Sequence, residues 1–497
     1  MKKLVLLFGL TMGVFGINAQ IVNIPDAQFK SALLNHYPVI DTNSDGEIQT
    51  SEATAYTFTI LASDQNITDL TGIEAFTNLT GLMCAANQLT NIDISKNTAL
   101  LYLYCFQNQL TNLDLTKNTA LIRLECHQNL LTDLNLTKNT ALQFLQCKNN
   151  VLTQLNISQN TALVSLYCSA NQLTSLDLTH NTAIKFVECG ANPISDLDVT
   201  KSIALTHLYA GNHPLTSLDV TKNTNLKVLS IANCQLQDLD VSQNTALNYL
   251  NCSQNQLTHL DLSKNIMLEE LFCSFNQLSN IDTSKNPALK YLHCYNNQLS
   301  NLDISKNPVL ENLWCFENQL TNLDASKNPA LLYVYCYDNQ LTRLDVSKNP
   351  LLKHLYSFNN SLTTIDTSQN TYLEYLLCHK NQLTHFDLTK NTIVKQFIAF
   401  QNQLAMLDLR NGNNEILTDM QVYDNPNLTC IQVDNVDNAN TYGWIKDQIA
   451  NYSTDCTLAV RASDKKEMII YPNPAKDMLH FSEEVSNVRI TDLSGEW

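Results

Sequence analysis

The feature that most constrains this chain is a 21-residue repeat that carries a cysteine once in most copies. A sequence that repeats at a short, fixed period is typical of stacked, nearly identical coils rather than of ordinary globular domains. The cysteine slot is filled by Cys84, Cys105, Cys126, Cys147, Cys168, Cys189, Cys252, Cys273, Cys294, Cys315, Cys336 and Cys378. In the other copies it holds Ser63, Ala210, Ile231, Ser357, Ala399 and, after a two-residue insertion, Val422.

The first half of each copy ends in an alternation of apolar and variable residues, LxxLxC, which predicts a short β-strand. Stacked coils place such strands side by side, ~4.8 Å apart. The second half, LTxLDLSKN, is too short for both a turn and a return helix, so we expect it to be extended or irregular. Two columns of asparagine recur in each coil, where an amide bonds backbone groups in tight bends.

The whole unit, LxxLxCxxNQLTxLDLSKNxA, resembles the leucine-rich repeat, and most closely the 21-residue class of bacterial secreted proteins. The resemblance covers residues 58–430, in about 17 coils. It implies a mainly β solenoid of short parallel strands with extended or irregular return segments. Since each coil touches only its neighbours, both ends need caps, and we expect small helical caps at the N and C termini.

The cysteine column has two interpretations. Alanine, isoleucine and valine fill the same slot in sister copies, which favours a buried core position of limited volume, because a metal ligand cannot be exchanged for an alkyl group. A thiol ladder for metal binding or redox chemistry is the alternative, although no histidine or second cysteine stands at ligand spacing within a coil.

Cys430 and Cys456 lie beyond the regular repeats and bracket a segment, 438–451, that favours one short helix. We predict a disulfide between them that closes a C-terminal cap at residues 431–456. Closing a loop of this size stabilises a fold by about 3–4 kcal/mol through chain entropy. Two unrelated free cysteines are the alternative.

The stretch DTNSDGEIQTSE, from Asp41 to Glu52, resembles an EF-hand calcium loop and lies in a predicted N-terminal cap at residues 20–57. Apolar-patterned segments before and after it favour two helices. We expect one structural calcium ion here, and a surface acidic turn is the alternative. The resemblance implies side-chain ligands Asp41, Asn43 and Asp45, the Glu47 carbonyl, Gln49 through water, and a bidentate Glu52.

The two ends of the chain predict export. A basic start, an apolar run and a small residue at Ala19 are typical of a secretory signal peptide at residues 1–19. A linker is predicted at 457–467. Residues 468–497, which include YPNPAKDMLHF, resemble part of the C-terminal sorting domain of the type IX secretion system of Bacteroidetes. This implies that the type IX machinery is a partner if the tail is complete, and that the protein is secreted or held at the outer-membrane surface.

Charge and hydropathy narrow the classes of partner. The net charge of −17 argues against nucleic-acid binding, and no apolar stretch after the signal approaches the 18 residues of a membrane span. Aspartates recur once per coil, as at Asp93 and Asp114, with lysines three residues on, as at Lys96 and Lys117. We expect these columns to neutralise each other and to cap the backbone.

Residues on either side of the cysteine slot point away from the core and are rich in aromatics late in the array. We predict a non-catalytic, adhesion-like binding protein that recognises a protein, peptide or glycan through this face. A structural surface or matrix protein without a discrete ligand is the alternative. An extracellular enzyme is disfavoured, because the recurring polar residues have structural explanations. The predicted face comprises Tyr291, His293, Tyr295, Trp314, Phe316, Tyr333, Tyr335, Tyr337, Tyr356 and Phe358.

Overall fold

The computed structural model describes residues 20–456 together with Ile470–Tyr471 and His480–Phe481. The predicted signal peptide at 1–19, the linker at 457–467 and most of the sorting-domain segment at 468–497 lie outside the described residues. Within that last segment, β23 (Ile470–Tyr471) pairs antiparallel with β24 (His480–Phe481).

The repeats build a β-solenoid whose main sheet contains eighteen parallel strands of three residues each. Neighbouring strands pair in register, with Leu292 opposite Leu313. The strands are β1 (Thr59–Leu61), β2 (Gly81–Met83), β3 (Tyr102–Tyr104), β4 (Arg123–Glu125), β5 (Phe144–Gln146), β6 (Ser165–Tyr167), β7 (Phe186–Glu188), β8 (His207–Tyr209), β9 (Val228–Ser230), β10 (Tyr249–Asn251), β11 (Glu270–Phe272), β12 (Tyr291–His293), β13 (Asn312–Trp314), β14 (Tyr333–Tyr335), β15 (His354–Tyr356), β16 (Tyr375–Leu377), β18 (Gln396–Ile398) and β20 (Asp419–Gln421).

A second, smaller parallel sheet forms on the return side at the C-terminal end. Its strands are β17 (His385–Asp387), β19 (Met406–Asp408), β21 (Cys430–Gln432) and β22 (Asn451–Ser453). The return segments of earlier coils are irregular, as the sequence predicts. A further parallel bridge between Gln421 and Ile445 continues the main sheet into the C-terminal cap. The stack therefore has about 19 turns rather than about 17: eighteen strands fall within residues 58–430, and the bridge at Ile445 adds one turn where the repeat pattern is absent.

The core is a narrow column of apolar side chains from both halves of every coil. The middle residue of each main-sheet strand is buried, as Leu271 and Leu313 show, and the cysteine slot lies beside it. In the first coil this slot holds the buried Ala62 rather than the predicted Ser63, because β1 pairs with β2 at a spacing of 22 residues. Phe386 and Phe397 pack together late in the array, with ring centroids 5.1 Å apart. Because each coil supplies one layer, burial of apolar surface is shared between nearest neighbours along the whole stack.

Asparagine side chains join successive coils at both bends. The Asn276 amide donates to the carbonyls of Cys252 and Cys273, and its oxygen accepts from the Leu257 N–H at 3.0 Å. In the second column, Asn265 donates to carbonyls of the preceding coil, those of Val241 and Asn244. These bonds satisfy buried carbonyls that the irregular backbone leaves without sheet partners.

The same column explains a polar residue at an apolar position. Thr283 is buried where most copies carry leucine, isoleucine or valine. Its hydroxyl donates to the side-chain oxygen of Asn307 at 2.8 Å, so burial leaves it with a partner. Thr367 makes the equivalent bond to Asn391.

The N-terminal cap contains α1 (Ala27–Leu34) and α2 (Thr50–Ala55), and a 3₁₀ turn follows at Ile73–Ala75. Asp26 caps α1 by accepting from the Phe29 N–H, and its other oxygen accepts from the Thr68 N–H at 2.8 Å. One carboxylate thus fixes the first helix to the first coil. No helix in the described part of the chain has the length and apolarity needed to cross a bilayer.

The open edge of β1 is covered by side chains rather than by another strand. His36 accepts from the Leu61 N–H through Nε2 at 2.9 Å, and the Tyr56 hydroxyl donates to the Thr59 carbonyl at 3.1 Å. The two rings meet edge to face. This contact removes free backbone groups that would otherwise pair with another chain.

The C-terminal cap closes the other end. The Trp444 indole N–H donates to the Leu417 carbonyl at 2.8 Å, after a 3₁₀ turn at Asn414–Ile416. The structure joins Cys430 and Cys456 in a disulfide, with Cα atoms 5.8 Å apart. The short helix lies earlier than predicted, as α3 (Val436–Ala439), because the Asn435 side chain caps it and turns follow.

The aspartate column caps the backbone, and in the described coils the lysines act on it through their charge without forming ion pairs. Asp114 accepts from the Thr116 N–H at 2.9 Å, and this bond is the main cause of the lowered pKa of its carboxyl. Within residues 20–456, Lys96 and Lys117 form no ion pair with the column. The charges of Lys96 and Lys117 nevertheless help to lower the pKa of Asp93 and Asp114, so the two columns interact at a distance while each aspartate turns towards its own loop.

The other thirteen cysteines are free and buried. Burial raises the pKa of the Cys252 thiol to about 12, with similar effects at Cys294 and Cys336. A thiol that stays protonated and inaccessible is neither a nucleophile nor a metal ligand at neutral pH. The structure therefore favours the packing interpretation of the cysteine column.

We expect the thirteen free thiols to resist a small thiol reagent in the native protein and to react together on unfolding. The physical reason is burial, which excludes the reagent and suppresses the thiolate. A spectrophotometric thiol count with and without guanidinium measures this. Fast labelling of about a dozen thiols in the native protein would contradict the core assignment.

Candidate binding surface

The ten predicted face residues all lie on the exposed side of the main sheet, where each strand has a buried centre flanked by half-exposed residues. We define three columns. The first is the first residue of each strand, as at Tyr333. The second is the third residue of each strand, as at Tyr335. The third is the residue after the cysteine slot, as at Tyr337.

The third column forms a continuous stack of rings, which we call the ladder. Successive ring centroids lie 4.2 to 4.7 Å apart, with interplanar angles of 7° to 22°. This spacing follows from parallel strands in register, because identical positions repeat at the strand separation. The ladder comprises Tyr295, Phe316, Tyr337, Phe358, His379, Phe400 and Tyr423.

The last three ladder residues, His379, Phe400 and Tyr423, were missed by the sequence prediction. They follow Cys378, Ala399 and Val422, so the same slot rule applied to the end of the array would have found them. The prediction followed the density of aromatics rather than the column. The ladder therefore extends three coils further towards the C-terminal cap than expected.

The second column carries a shorter stack beside the ladder. The rings of His293 and Trp314 stack nearly parallel, with centroids 3.9 Å apart, and Trp314 is followed by Tyr335 at 5.2 Å and Tyr356 at a further 4.3 Å. Trp314 also lies 6.2 Å from Tyr295 of the ladder. The two stacks thus form one aromatic surface across the late coils.

The two predicted residues of the first column lie at the margin of this surface. Tyr333 contacts His354 edge to face at 4.8 Å. Tyr291 pairs across the strands with Asn312 rather than with another ring. The structure thus brings eight of the ten predicted residues into the two stacks, and Tyr291 and Tyr333 flank them.

Earlier coils carry shorter stretches of aromatics on the same face. Phe106 and His127 stack at 4.4 Å, and this pair is separate from the ladder. The Arg123 guanidinium lies 3.6 Å from the centroid of the Phe144 ring and is also paired with Glu125. The long ladder is therefore a feature of the C-terminal half.

The electrostatics keep the stacked rings neutral. Burial lowers the pKa of His293 to about 4 and that of His379 to about 4. Burial, reinforced by the charges of Glu317 and Asp338, raises the pKa of Tyr337 to about 12. At neutral pH the histidines are uncharged and the tyrosine remains a hydroxyl donor.

Each coil leaves the sheet through a residue of left-handed conformation directly after the third column. We call these residues the rim. Glu317 and Asp338 occupy it beside the ladder, at φ 50° and 51°. The Asn296 amide donates to Glu317, and the Asn359 amide donates to Asp338, so neighbouring coils also connect along the rim.

The family model for leucine-rich repeats in two copies matches residues 266–307. A functional domain of InlJ from Listeria monocytogenes, described as including a cysteine ladder, is 34% identical over 69% of this chain and 72% of that chain, with a TM-score of 0.62. The chain belongs to the leucine-rich repeat family.

Two further structures share the leucine-rich repeat fold. A Leptospira interrogans leucine-rich repeat protein is 23% identical over 71% of this chain and 92% of that chain, with a TM-score of 0.59. The ectodomain of a plant receptor kinase from Arabidopsis thaliana, solved in complex with Casparian strip integrity factor 2, is 20% identical, with a TM-score of 0.57. That match covers 76% of this chain and 56% of that chain. A search of curated proteins by sequence finds no match.

The half-buried histidines His293 and His379 predict loss of stability in acid. A folded-state pKa below the unfolded value of about 6.5 means that the unfolded chain binds more protons between pH 6.5 and 4. These histidines therefore do not lower the free energy of unfolding above pH 6.5, and they lower it increasingly as the pH drops towards 4. We expect the urea midpoint of wild type to decrease between pH 7.5 and 5.0.

The matched variant replaces both rings without removing the stacking, as His293→Phe/His379→Phe. Phenylalanine already occupies both columns in neighbouring coils, at Phe272 and Phe358. Its urea midpoint should fall less over the same pH interval, because two of the histidines with a lowered pKa are gone, while others such as His127 and His354 remain in both proteins. An equal decrease in both proteins would show that the histidines do not contribute.

Proposed function

We propose that this chain is an exported, non-catalytic binding protein that recognises a partner through the aromatic surface of its late coils. The observation that carries the proposal is the ladder, seven half-exposed rings aligned over consecutive coils. Tyrosine and tryptophan dominate binding hot spots because they bury a large area at little entropic cost. The partner class is a protein, peptide or glycan, in an adhesion-like role.

Export rests on the sequence. The signal-like residues 1–19 and the sorting-domain resemblance at 468–497 support secretion or attachment to the outer-membrane surface through the type IX machinery. The disulfide between Cys430 and Cys456 fits an oxidising compartment, where such bonds persist. A structural surface protein without a ligand is the competing proposal, since stacked aromatics also stabilise a sheet by ~0.2–1 kcal/mol per pair.

Breaking the ladder separates these two proposals. We expect Phe316→Ser/Tyr337→Ser to weaken binding at least about tenfold to whichever partner wild type binds on arrays of matrix proteins, cell-surface proteins and glycans. The ladder rings contact one another as well as solvent, so the variant should also unfold somewhat earlier. Binding is therefore measured well below the unfolding temperature of both proteins.

The control is Phe106→Ser/His127→Ser, which removes a stacked pair of the same geometry outside the ladder. It should lose similar stability and keep its binding. Equal binding by the ladder variant and wild type would favour the purely structural role. Equal loss in both variants would show that the effect comes from the sheet as a whole.

We further propose that one calcium ion stabilises the N-terminal cap through the loop at Asp41–Glu52. The donor chemistry fits a hard cation, because carboxylate and amide oxygens of Asp41, Asn43 and Asp45 line the inside of the turn. These oxygens accept from backbone N–H groups of the loop at 2.9 to 3.3 Å. Gly46 makes the turn at φ 80°.

Two further positions of the loop have other partners in the structure. The Gln49 amide donates to Asp45 at 2.8 Å, which places it over the same turn. Both oxygens of Glu52 accept from backbone N–H groups, those of Thr42 and Gln49, and Glu52 would exchange these bonds for the cation. Among the described residues, no three histidine, cysteine or acidic side chains are grouped closely enough to hold a metal.

Calorimetry tests the calcium proposal. Wild type should take up one equivalent of calcium and unfold at a higher temperature when calcium is present. An ion that binds only the folded state raises the free energy of unfolding by RT ln(1 + [Ca]/Kd). Asp41→Ala should lose both effects. Asp69→Ala, which removes an exposed carboxylate outside the loop, is the control. Equal calcium uptake by Asp41→Ala and wild type would end the proposal.

A further inference from the structure

The orientation of the ladder rings restricts which partners they can bind. Ring planes that stack at 4.2 to 4.4 Å with angles of 10° to 22° cover each other's faces. The ladder therefore presents ring edges to solvent, not faces. The rings with both faces covered are Phe316, Tyr337, Phe358, His379 and Phe400.

A sugar ring binds an aromatic side chain by laying its C–H groups on a free ring face. The interior rings of the ladder have no free face, and in the second column Trp314 and Tyr335 are covered in the same way. Ring edges carry partial positive charge and attract carbonyl oxygens or the faces of other rings. This chemistry suits the backbone carbonyls of a polypeptide better than the stacking of a pyranose.

The charges beside the ladder indicate which charge the partner polypeptide should carry. Along the ladder coils, over the described residues 291–424, the three columns and the rim contain one cation, Lys380, which stands on the rim directly after His379. Their carboxylates are Glu317, Asp338, Asp419 and Asp424, and the first two stand on the rim next to Tyr337. Two lysines beside the first column are paired with carboxylates, Lys290 with Glu269 at 2.8 Å and Lys395 with Glu374 at 2.5 Å.

We propose that the ladder and the carboxylates of its rim bind a basic, extended polypeptide segment of a partner protein. This inference rests on the proposed function and narrows its partner class. Carbonyl oxygens of the segment contact the ring edges, and its lysine or arginine side chains pair with Glu317 and Asp338. The neutral hydroxyl of Tyr337 stands between them as a further donor.

Fluorescence anisotropy with labelled probes tests the inference. The measurement is made in about 0.15 M salt, which screens charges further apart than ~8 Å, so that only charges close to the peptide contribute to binding. The probes are a labelled twelve-residue lysine–threonine repeat, the glutamate–threonine repeat of equal length, and hexasaccharides of glucose and of N-acetylglucosamine. Wild type should bind the lysine peptide and not the other probes. Absence of lysine-peptide binding, or binding of the glutamate peptide with equal affinity, would overturn the inference.

Two matched pairs of substitutions distinguish a specific contribution of the rim carboxylates from a general effect of the net negative charge. Glu317→Gln/Asp338→Asn should weaken binding of the lysine peptide about tenfold, which corresponds to ~1.4 kcal/mol of binding free energy. Asp324→Asn/Asp345→Asn changes the net charge equally on the return segments of the same coils and should stay within about twofold of wild type. Asparagine is tolerated there, because Asn135 accepts the same loop N–H bond as the aspartates. Equal weakening by both pairs would show non-specific attraction and overturn the inference.

The ladder variant Phe316→Ser/Tyr337→Ser distinguishes this inference from the proposed function. Loss of lysine-peptide binding in both the ladder variant and the rim variant supports the inference. A hexasaccharide that binds wild type and is lost in the ladder variant but kept in the rim variant would overturn the inference and retain the proposed function. Lysine-peptide binding that is unchanged in both variants would overturn the inference, while the proposed function would still be decided by the array measurement on the ladder variant.

Discussion

Every part of this molecule depends on the hydrogen bonds that asparagine side chains make between successive coils. The strands are only three residues long, and most of each return segment is irregular, so regular sheet bonding leaves many buried carbonyls without partners. Asn276 and Asn265 show how one amide per bend supplies the missing donors. Where His213 or Cys234 replaces asparagine, the substitute still contacts a carbonyl of the preceding coil. This strict bonding keeps all coils in the same register, and the register is what aligns the surface columns.

The repeat made much of the fold predictable. The period, the alternation around the cysteine and the substitution of that cysteine by alanine or valine predicted the parallel strands, the irregular return and the buried column. The two N-terminal helices followed from apolar patterning around the acidic loop. These features were accessible because each copy of the repeat is an independent test of the same position.

The remaining features depend on contacts that a one-dimensional pattern does not contain. The short helix at Val436–Ala439 is set by the capping Asn435, and the last turn by a bridge to Ile445, where no repeat is present. Aspartates of the return segments bond their own loops rather than the lysines three residues on, a choice made by local backbone geometry. The aromatic face was located from the sequence, but its edge-on orientation was not. Ring orientation depends on the ring in the next coil, as the 3.9 Å stack of His293 on Trp314 shows.

The two ends of the solenoid are closed by different kinds of bond, and this gives the molecule a mechanical polarity. The C-terminal end carries a covalent link at Cys430, whereas the edge of the first strand is held by the side chains of His36 and Tyr56. In a stack held only by neighbouring contacts, coils detach from whichever end opens first. A chain anchored through its C-terminal segment would therefore lose its N-terminal coils first under load. The aromatic surface, placed in the C-terminal half, would remain assembled while the distant coils open.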